Sequence, residues 1–209
     1  MFLLIDKPKG MTSHDVVDAV RRATGERRVG HGGTLDPNAT GLLIIGVGRE
    51  YTKQLSQFNT QKDKTYEAEM VLGEERDTHD IEGTVTKTSD FVPTLQDIDS
   101  ALKKFKGEIE QIPPKHSAIK VNGKKAYALA RAGREVELKP RKVLIKNIKI
   151  LSYTYPLLKM EFKVSSGTYI RALARDIGQA LGSFAYLGNL RRTAIGDYNI
   201  VDAKKIGEI

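Results

Sequence analysis

The sequence predicts a mixed α+β fold, and three observations carry that prediction. Lys64 to Leu72 alternates apolar and polar residues with a period of two, the mark of a half-buried strand. Stretches that follow Thr12, Thr94 and Thr168 repeat their apolar residues at helical spacing. Strands come in succession with helices interspersed irregularly, which is the order of an α+β domain.

Taken in turn, Phe2 to Ile5 is a short buried strand, and Lys7-Pro8-Lys9-Gly10 breaks the chain after it. Thr12 or Ser13 caps a helix whose apolar residues are Val16, Val17, Val20 and Ala23, and Gly25 stands where a left-handed C-terminal cap belongs. Leu42 to Val47 is a mostly apolar strand. In the next strand Tyr66, Ala68, Met70 and Leu72 share one face, with Thr65, Glu67 and Glu69 on the other. Thr94 to Phe105 reads as a helix with Leu95, Ile98, Leu102 and Phe105 inward and Gly107 beyond it. Asn122-Gly123 marks a hairpin after Ser117–Val121. Two long strands, near 143–153 and 158–164, lead to a helix from Thr168 to Leu181 striped by Ile170, Leu173, Ala174, Ile177 and Leu181. Without repeats, low-complexity tracts or a linker, the simplest division is one domain over 1–209 with an insertion at about 103–140.

Composition narrows the function. The 209 residues include no Cys and no Trp, with 40% hydrophobic and 29% charged, so the chain folds around a packed core. Lack of Cys excludes thiolate nucleophiles, disulfides, iron–sulfur clusters and Cys-based zinc sites. Only four apolar residues separate Met1 from the first charge, too few for a signal peptide. No run approaches the roughly 18 apolar residues of a membrane span. A cytoplasmic protein without a membrane partner is expected. The net charge of +8 favours an anionic partner, and its distribution says where: residues 103–149 hold 14 Lys and Arg against 4 Asp and Glu, while the remainder sums to −2. Such a concentrated excess reads as a phosphate-contacting surface.

The richest stretch for chemistry is Val29 to Gly48. It sets one carboxylate, Asp36, in a loop dense with Gly30, Gly32, Gly33 and Gly41, bounded by Pro37 and followed by an apolar strand. That loop is either a polar turn or a site where a ligand approaches the backbone closely. Gly46-x-Gly48 lacks the rest of a dinucleotide fingerprint, and no Walker sequence occurs. Arg76-Asp77-Thr78-His79-Asp80 reads as a solvated loop, and His14, His31, His79 and His116 show no metal-ligand spacing. At the junction Ser165-Ser166-Gly167-Thr168-Tyr169-Ile170-Arg171, the Arg is either a surface charge or a fixed guanidinium partner for a buried carboxylate.

These blocks carry a resemblance. The chain resembles the TruB family of tRNA pseudouridine synthases through Ile5-Asp6-Lys7-Pro8-Lys9-Gly10-Met11-Thr12-Ser13 and Gly30-His31-Gly32-Gly33-Thr34-Leu35-Asp36-Pro37-Asn38-Ala39-Thr40-Gly41. It continues through Lys64-Thr65-Tyr66, Asp77-Thr78-His79-Asp80 with Gly83, and Pro113 to Lys120 with Ala126-Tyr127. The last block runs from Ser166-Gly167-Thr168-Tyr169-Ile170-Arg171 through Leu190-Arg191-Arg192-Thr193. The blocks keep the family's order over nearly the whole chain.

The resemblance implies a pseudouridine synthase fold, a mixed and mostly antiparallel sheet flanked by helices and loops, with a basic RNA-binding insertion. It implies isomerisation of uridine 55 in the tRNA T loop without cofactor or metal, on a base extruded from its stack. Asp36 matches the catalytic carboxylate, acting either as nucleophile or by proton abstraction from the ribose. Arg171 matches the Arg that pairs with it, and Tyr66 the residue that stacks on the target base. His31 matches the residue that fills the space the base leaves, while Tyr169 and Leu190 match positions lining the base pocket. Lys103, Lys104, Lys106, Lys115, Lys120, Lys124 and Lys125 in the insertion are the expected phosphate contacts. The expected partner is the tRNA T stem-loop, met by a monomer. Family members usually carry a further C-terminal RNA-binding domain, often of the PUA type, and the sequence reading is of a catalytic domain without one. Ala194, where a basic residue is common, and Arg76, where Thr often stands, are smaller departures. A guide-dependent RNA pseudouridine synthase and a non-catalytic tRNA-binding or folding factor are the alternatives.

Overall fold

The computed structural model describes residues 1–115, 117, 119–121, 123–126, 129, 132 and 137–209. In chain order its first elements are β1 (Phe2–Lys7), α1 (Ser13–Thr24), β2 (Val29–Gly32), β3 (Thr40–Val47), α2 (Arg49–Thr60) and β4 (Lys64–Leu72). Next come β5 (Glu74–Arg76), β6 (Val85–Thr88), α3 (Leu95–Leu102), β7 (Gly107–Gln111), β8 (Lys120–Val121) and β9 (Lys124–Lys125). The chain ends with β10 (Arg141–Thr154), β11 (Leu157–Val164), α4 (Ile170–Leu181), β12 (Ala185–Ile195) and β13 (Tyr198–Asn199). Two compact units result: Met1–Ala68 with Glu161–Gly167 and Asn189–Ile209, and Glu69–Met160 with Thr168–Gly188. The described residues of the basic segment 103–140 fall inside the second.

In the first unit the strand order is β1-β3-β12-β4-β11, with β2 also on β3 and β13 on β12. β3 is the central element. It runs antiparallel to β1, from Phe2 opposite Gly46 to Lys7 opposite Gly41, and antiparallel to β2. It runs parallel to β12, where Arg191 and Arg192 lie opposite Thr40 and Gly41. Every residue from Gly41 to Gly46 is buried. Alternation explains why: Leu43 and Ile45 pack with Ile5, Val16, Val17, Val20 and Val29, whereas Leu42 and Ile44 pack with Leu55, Phe58 and Ile195. A strand covered on both faces reads as an unbroken apolar run. Each such aliphatic side chain stabilises the fold by roughly 1.5–3 kcal/mol.

The α1 helix starts as expected. Thr12 Oγ1 accepts from the Asp15 N–H at 3.1 Å, and Asp15 Oδ2 accepts from the Thr12 N–H at 2.7 Å. Its end is capped by Gly25 at φ +68°. The α2 helix is an addition to the sequence reading. It has no side-chain cap at Gly48 and buries only Leu55 and Phe58, so its periodicity is faint. Phe58 nevertheless anchors it through edge-on contacts with Phe2 and Tyr198, at centroid distances of 5.2 and 5.6 Å.

In the second unit the order is β12-β4-β11-β10-β7, and β5 pairs with β6 separately. β4, β11 and β12 contribute residues to both units. β7 and β10 pair antiparallel, from Gln111 opposite Arg141 to Gly107 opposite Ile145. The α3 helix is capped by Thr94 with Asp97 and stops at Leu102, where a 3₁₀ turn over Lys103–Phe105 replaces the expected last turn. β8 and β9 form a hairpin with Gly123 at φ +80°, as an Asn-Gly pair predicts; Asn122 itself lies outside the described residues. The α4 helix begins at Ile170, two residues later than expected, and buries Arg171 with its apolar stripe. Among the described residues no helix is long and apolar enough to cross a membrane.

Candidate active site

Asp36 stands exposed in the loop between β2 and β3, and both its neighbours are pinned. On one side, the Ser13 hydroxyl accepts from the Leu35 N–H at 2.9 Å and donates to the Leu35 carbonyl at 3.1 Å. Leu35 itself is buried. On the other side, the Pro37 carbonyl accepts from the Gly10 N–H at 2.9 Å and from the Lys7 ammonium at 3.1 Å. Lys7 is fully buried and also donates to the carbonyls of Pro8 and Met11 at 2.9 and 2.6 Å. Burial pulls the Lys7 ammonium down to about 8, against the opposing charges of Asp36 and Asp15. The Lys7 to Ser13 block thus does a definable job: it fixes the loop on either side of the carboxylate.

The loop leads into β3 at Gly41, whose φ of +104° suits glycine and whose place against the Arg192 backbone leaves no room for a Cβ. Arg192 is 1% exposed; it donates from Nε to the Leu42 carbonyl at 2.8 Å and from Nη2 to the Gly33 carbonyl at 3.0 Å. Its neighbour Arg191 forks onto Asp6 at 2.8 and 3.0 Å. Leu190, half-buried, accepts through its carbonyl from the Thr40 hydroxyl at 3.4 Å. Tyr66 lies buried in β4, to which β12 is tied by the Thr193 hydroxyl donating to the Thr65 carbonyl at 3.4 Å. The order β3-β12-β4 therefore sets the exit of the Asp36 loop, Leu190 and Tyr66 on adjacent strands of one unit.

Burial lowers the pKa of two further basic side chains of this unit. Lys64 is buried, donates to the Ser166 hydroxyl and to the Asn59 carbonyl at 3.3 Å, and is brought down to about 8 by burial and then by Arg192. His31 in β2 is half-buried, and burial followed by the charges of Arg192 and His14 lowers its pKa, so the ring is neutral at pH 7.

In the second unit, Tyr169 is held through its backbone. The Gln111 side chain, 1% exposed, accepts from the Tyr169 N–H at 2.8 Å and donates to its carbonyl at 3.1 Å. Arg171 is no surface charge. Its guanidinium is buried and donates to Asp80 Oδ2 at 3.2 Å and to the Thr78 carbonyl at 3.4 Å. The other Asp80 oxygen accepts from the Thr78 hydroxyl at 2.6 Å and the Glu82 N–H at 3.1 Å. The Arg76 to Asp80 stretch is accordingly a structured turn and not the solvated loop its polarity suggests, with Asp77 accepting from the N–H and the hydroxyl of Thr84.

Of the expected phosphate contacts, Lys103, Lys104, Lys106 and Lys115 are exposed, and Lys103 lies 3.3 Å from Asp99. The side chains of Lys120, Lys124 and Lys125 lie outside the described residues, as do His116 and Tyr127. Sequence reasoning offered Ser13 only as a helix cap and gave no site role to Lys7, Gln111 or Arg192. Each grips main-chain atoms, and no residue pattern announces such a grip. Among the described residues no His, Asp and Glu side chains gather as a metal site.

Comparison with known proteins adds a separate line of support. Residues 21–170 match the model for the TruB family pseudouridylate synthase N-terminal domain. The chain is 46% identical over 207 residues to tRNA pseudouridine synthase B of Protochlamydia amoebophila, covering 99% of this chain and 78% of that protein. It is likewise 46% identical over 209 residues to tRNA pseudouridine synthase B of Dehalococcoides mccartyi, covering 99% and 69%. Among solved structures, a chain of a Cbf5-Nop10-Gar1 complex superposes with a TM-score of 0.74 at 30% identity. That match takes in 95% of this chain and 49% of the other, so the present chain spans about half its length. With the mostly antiparallel sheet already established, these matches make the chain a member of the TruB family of pseudouridylate synthases.

Proposed function

We propose that the chain converts the T-loop uridine at position 55 of tRNA into pseudouridine, with Asp36 as the reacting carboxylate. The observation that carries this reading is the exposed Asp36 between two pinned residues: the carboxylate is accessible while its backbone is fixed by Ser13, Lys7 and Gly10. Such fixation is what a reaction that depends on orientation demands. The two curated relatives named above are tRNA pseudouridine synthases at 46% identity, which favours tRNA as the substrate.

The isomerisation balances without a cofactor. The bond between ribose C1′ and N1 breaks, the base turns, C1′ joins C5, and the C5 proton leaves as N1 gains one. Asp36 serves either by attacking C1′ or by taking a proton from C2′, and both routes need the ionised carboxylate. In this reading Arg171 supplies the cation that favours that form, and its own orientation is set by Asp80. Tyr66 stacks on the extruded base, Tyr169 and Leu190 line its pocket, and His31 takes the place the base leaves. The reading takes the chain as a cytoplasmic monomer that needs no metal or cofactor.

Asp36→Asn tests it directly. On unmodified tRNA transcript, with pseudouridine mapped by chemical adduct sequencing, turnover is expected to fall at least about 1,000-fold while tRNA affinity stays within a few-fold. Appreciable turnover by that variant overturns the assignment. Wild-type protein that binds tRNA without forming product points instead to a folding factor.

A further inference from the structure

The first unit contains an open cavity of about 620 Å³, and of its lining the reaction described above uses only His31. It is bounded by α1, β2 and α2, and its basic lining comes from Arg21, Arg27 and Arg28. Its apolar lining comes from Val29 and Leu55. The volume falls within the range of pockets that take compact organic ligands. Arg27 and Arg28 are exposed. Arg21 is already oriented, donating to Asp18 Oδ1 at 2.8 Å and to the Val29 carbonyl at 3.2 Å. Its Nε is buried and has no hydrogen-bond partner among the described residues. The stretch 21–28 carries four Arg against the single acid Glu26, a basic cluster that the acidic residues elsewhere hide in the net charge.

We propose that this cavity is a nucleotide subsite of the RNA substrate, taking a backbone phosphate on Arg27 and Arg28 with its nucleoside over Val29 and Leu55. Three features favour RNA over an acidic protein. Planar guanidinium groups match phosphate oxygens in pairs. The cavity places apolar surface beside the basic lining, and a nucleoside presents a broad apolar face that a carboxylate side chain lacks. His31, which the proposed reaction places in the space the base leaves, also lines the cavity, so the cavity shares a residue with the proposed substrate site. The inference rests on the proposal that this chain acts on RNA, and it adds a second anchoring region to the Lys-rich segment.

The test compares the full chain with Arg27→Ala/Arg28→Ala, Arg27→Lys/Arg28→Lys and the control Lys204→Ala/Lys205→Ala, which removes two exposed charges of the same unit. Binding to unmodified tRNA transcript is measured over a salt series. The Ala pair is expected to weaken binding at least tenfold and to lower the slope of log affinity against log salt by about 1.4, at roughly 0.7 per phosphate contact. The Lys pair restores the slope with part of the affinity, and the control changes the slope by less than about 0.5. Wild-type slope and affinity in the Ala pair overturn the subsite, an outcome that includes arginines serving an acidic protein. An equal loss in the control overturns it too, because the effect is then a general field. If the wild-type chain neither binds nor modifies tRNA, the functional reading fails first and takes this inference with it.

Discussion

His79 shows how much one side chain can conceal. It lies in the left-handed region at φ +62°, its N–H donates to the Arg76 carbonyl, and its carbonyl accepts from the Leu187 N–H, each at 3.0 Å. Burial, then the charges of Arg175 and Arg171, hold its imidazole down to about 4. The folded chain therefore refuses a proton that the unfolded chain, near 6.5, accepts. The resulting stability is complete above pH 6.5 and is lost as pH falls towards 4, by about 2–3 kcal/mol. Urea midpoints measured between pH 7 and 4.5 should fall steeply for the native sequence and less for His79→Asn, since Asn tolerates a positive φ. Equal slopes in the two proteins contradict this. Legibility at this scale depended on what a residue touches. Asp36 stood out because Gly and Pro frame it, and Arg171 because a strand gives way to a helix there. Lys7, Gln111, Arg192 and the hold of Ser13 on Leu35 were silent, because their partners are carbonyls and N–H groups common to every residue type.

Among elements, those with one buried face, or with two filled by aliphatic residues as in β3, were readable, and β12 and α2 were not. β4 and α1 follow their periods closely. β12 mixes Gly188, Asn189 and two arginines, yet it is paired along both edges, so its hydrogen bonds and not its pattern define it. The α2 helix failed for the opposite reason, with only two buried residues. The α4 helix offers a case where two rules conflict. Gly178 lies in its interior, where Ala is ordinarily better by up to about 1 kcal/mol. A Cβ there meets the Phe184 and Ala185 backbone, a clash worth about 3 kcal/mol with little scope for relief. The clash wins: Gly178→Ala should lower stability by about 2 kcal/mol and the melting temperature by roughly 4–8 °C in calorimetry. A melting temperature at or above the native value refutes it.

For the molecule as a whole, net charge located one basic region and missed another. The excess over 103–149 is real, and Lys103, Lys104, Lys106 and Lys115 are exposed there. Replacing these four by Ala should weaken tRNA binding by at least tenfold at low salt and flatten its salt dependence. Undiminished dependence argues against a role for this segment. The Arg21 to Arg28 cluster escaped because a sum over the remaining residues cancels it against acids elsewhere. Each of the two compact units is assembled from separate stretches of chain.

That assembly sets a timetable during synthesis. β3 receives its parallel neighbour from Arg191 and Arg192, and the Gly33 carbonyl accepts from Arg192. While the ribosome is still adding residues 48 to 188, β1 and β2 already pair with β3, and only its Thr40–Gly41 end, where the Asp36 loop enters, presents an open edge that is adhesive to other unpaired strands. Ser13 and Lys7, by contrast, precede Asp36 in the chain and are ready the moment it emerges. The nascent protein thus fastens the loop from its N-terminal side early and completes the first unit only after β12 has left the tunnel.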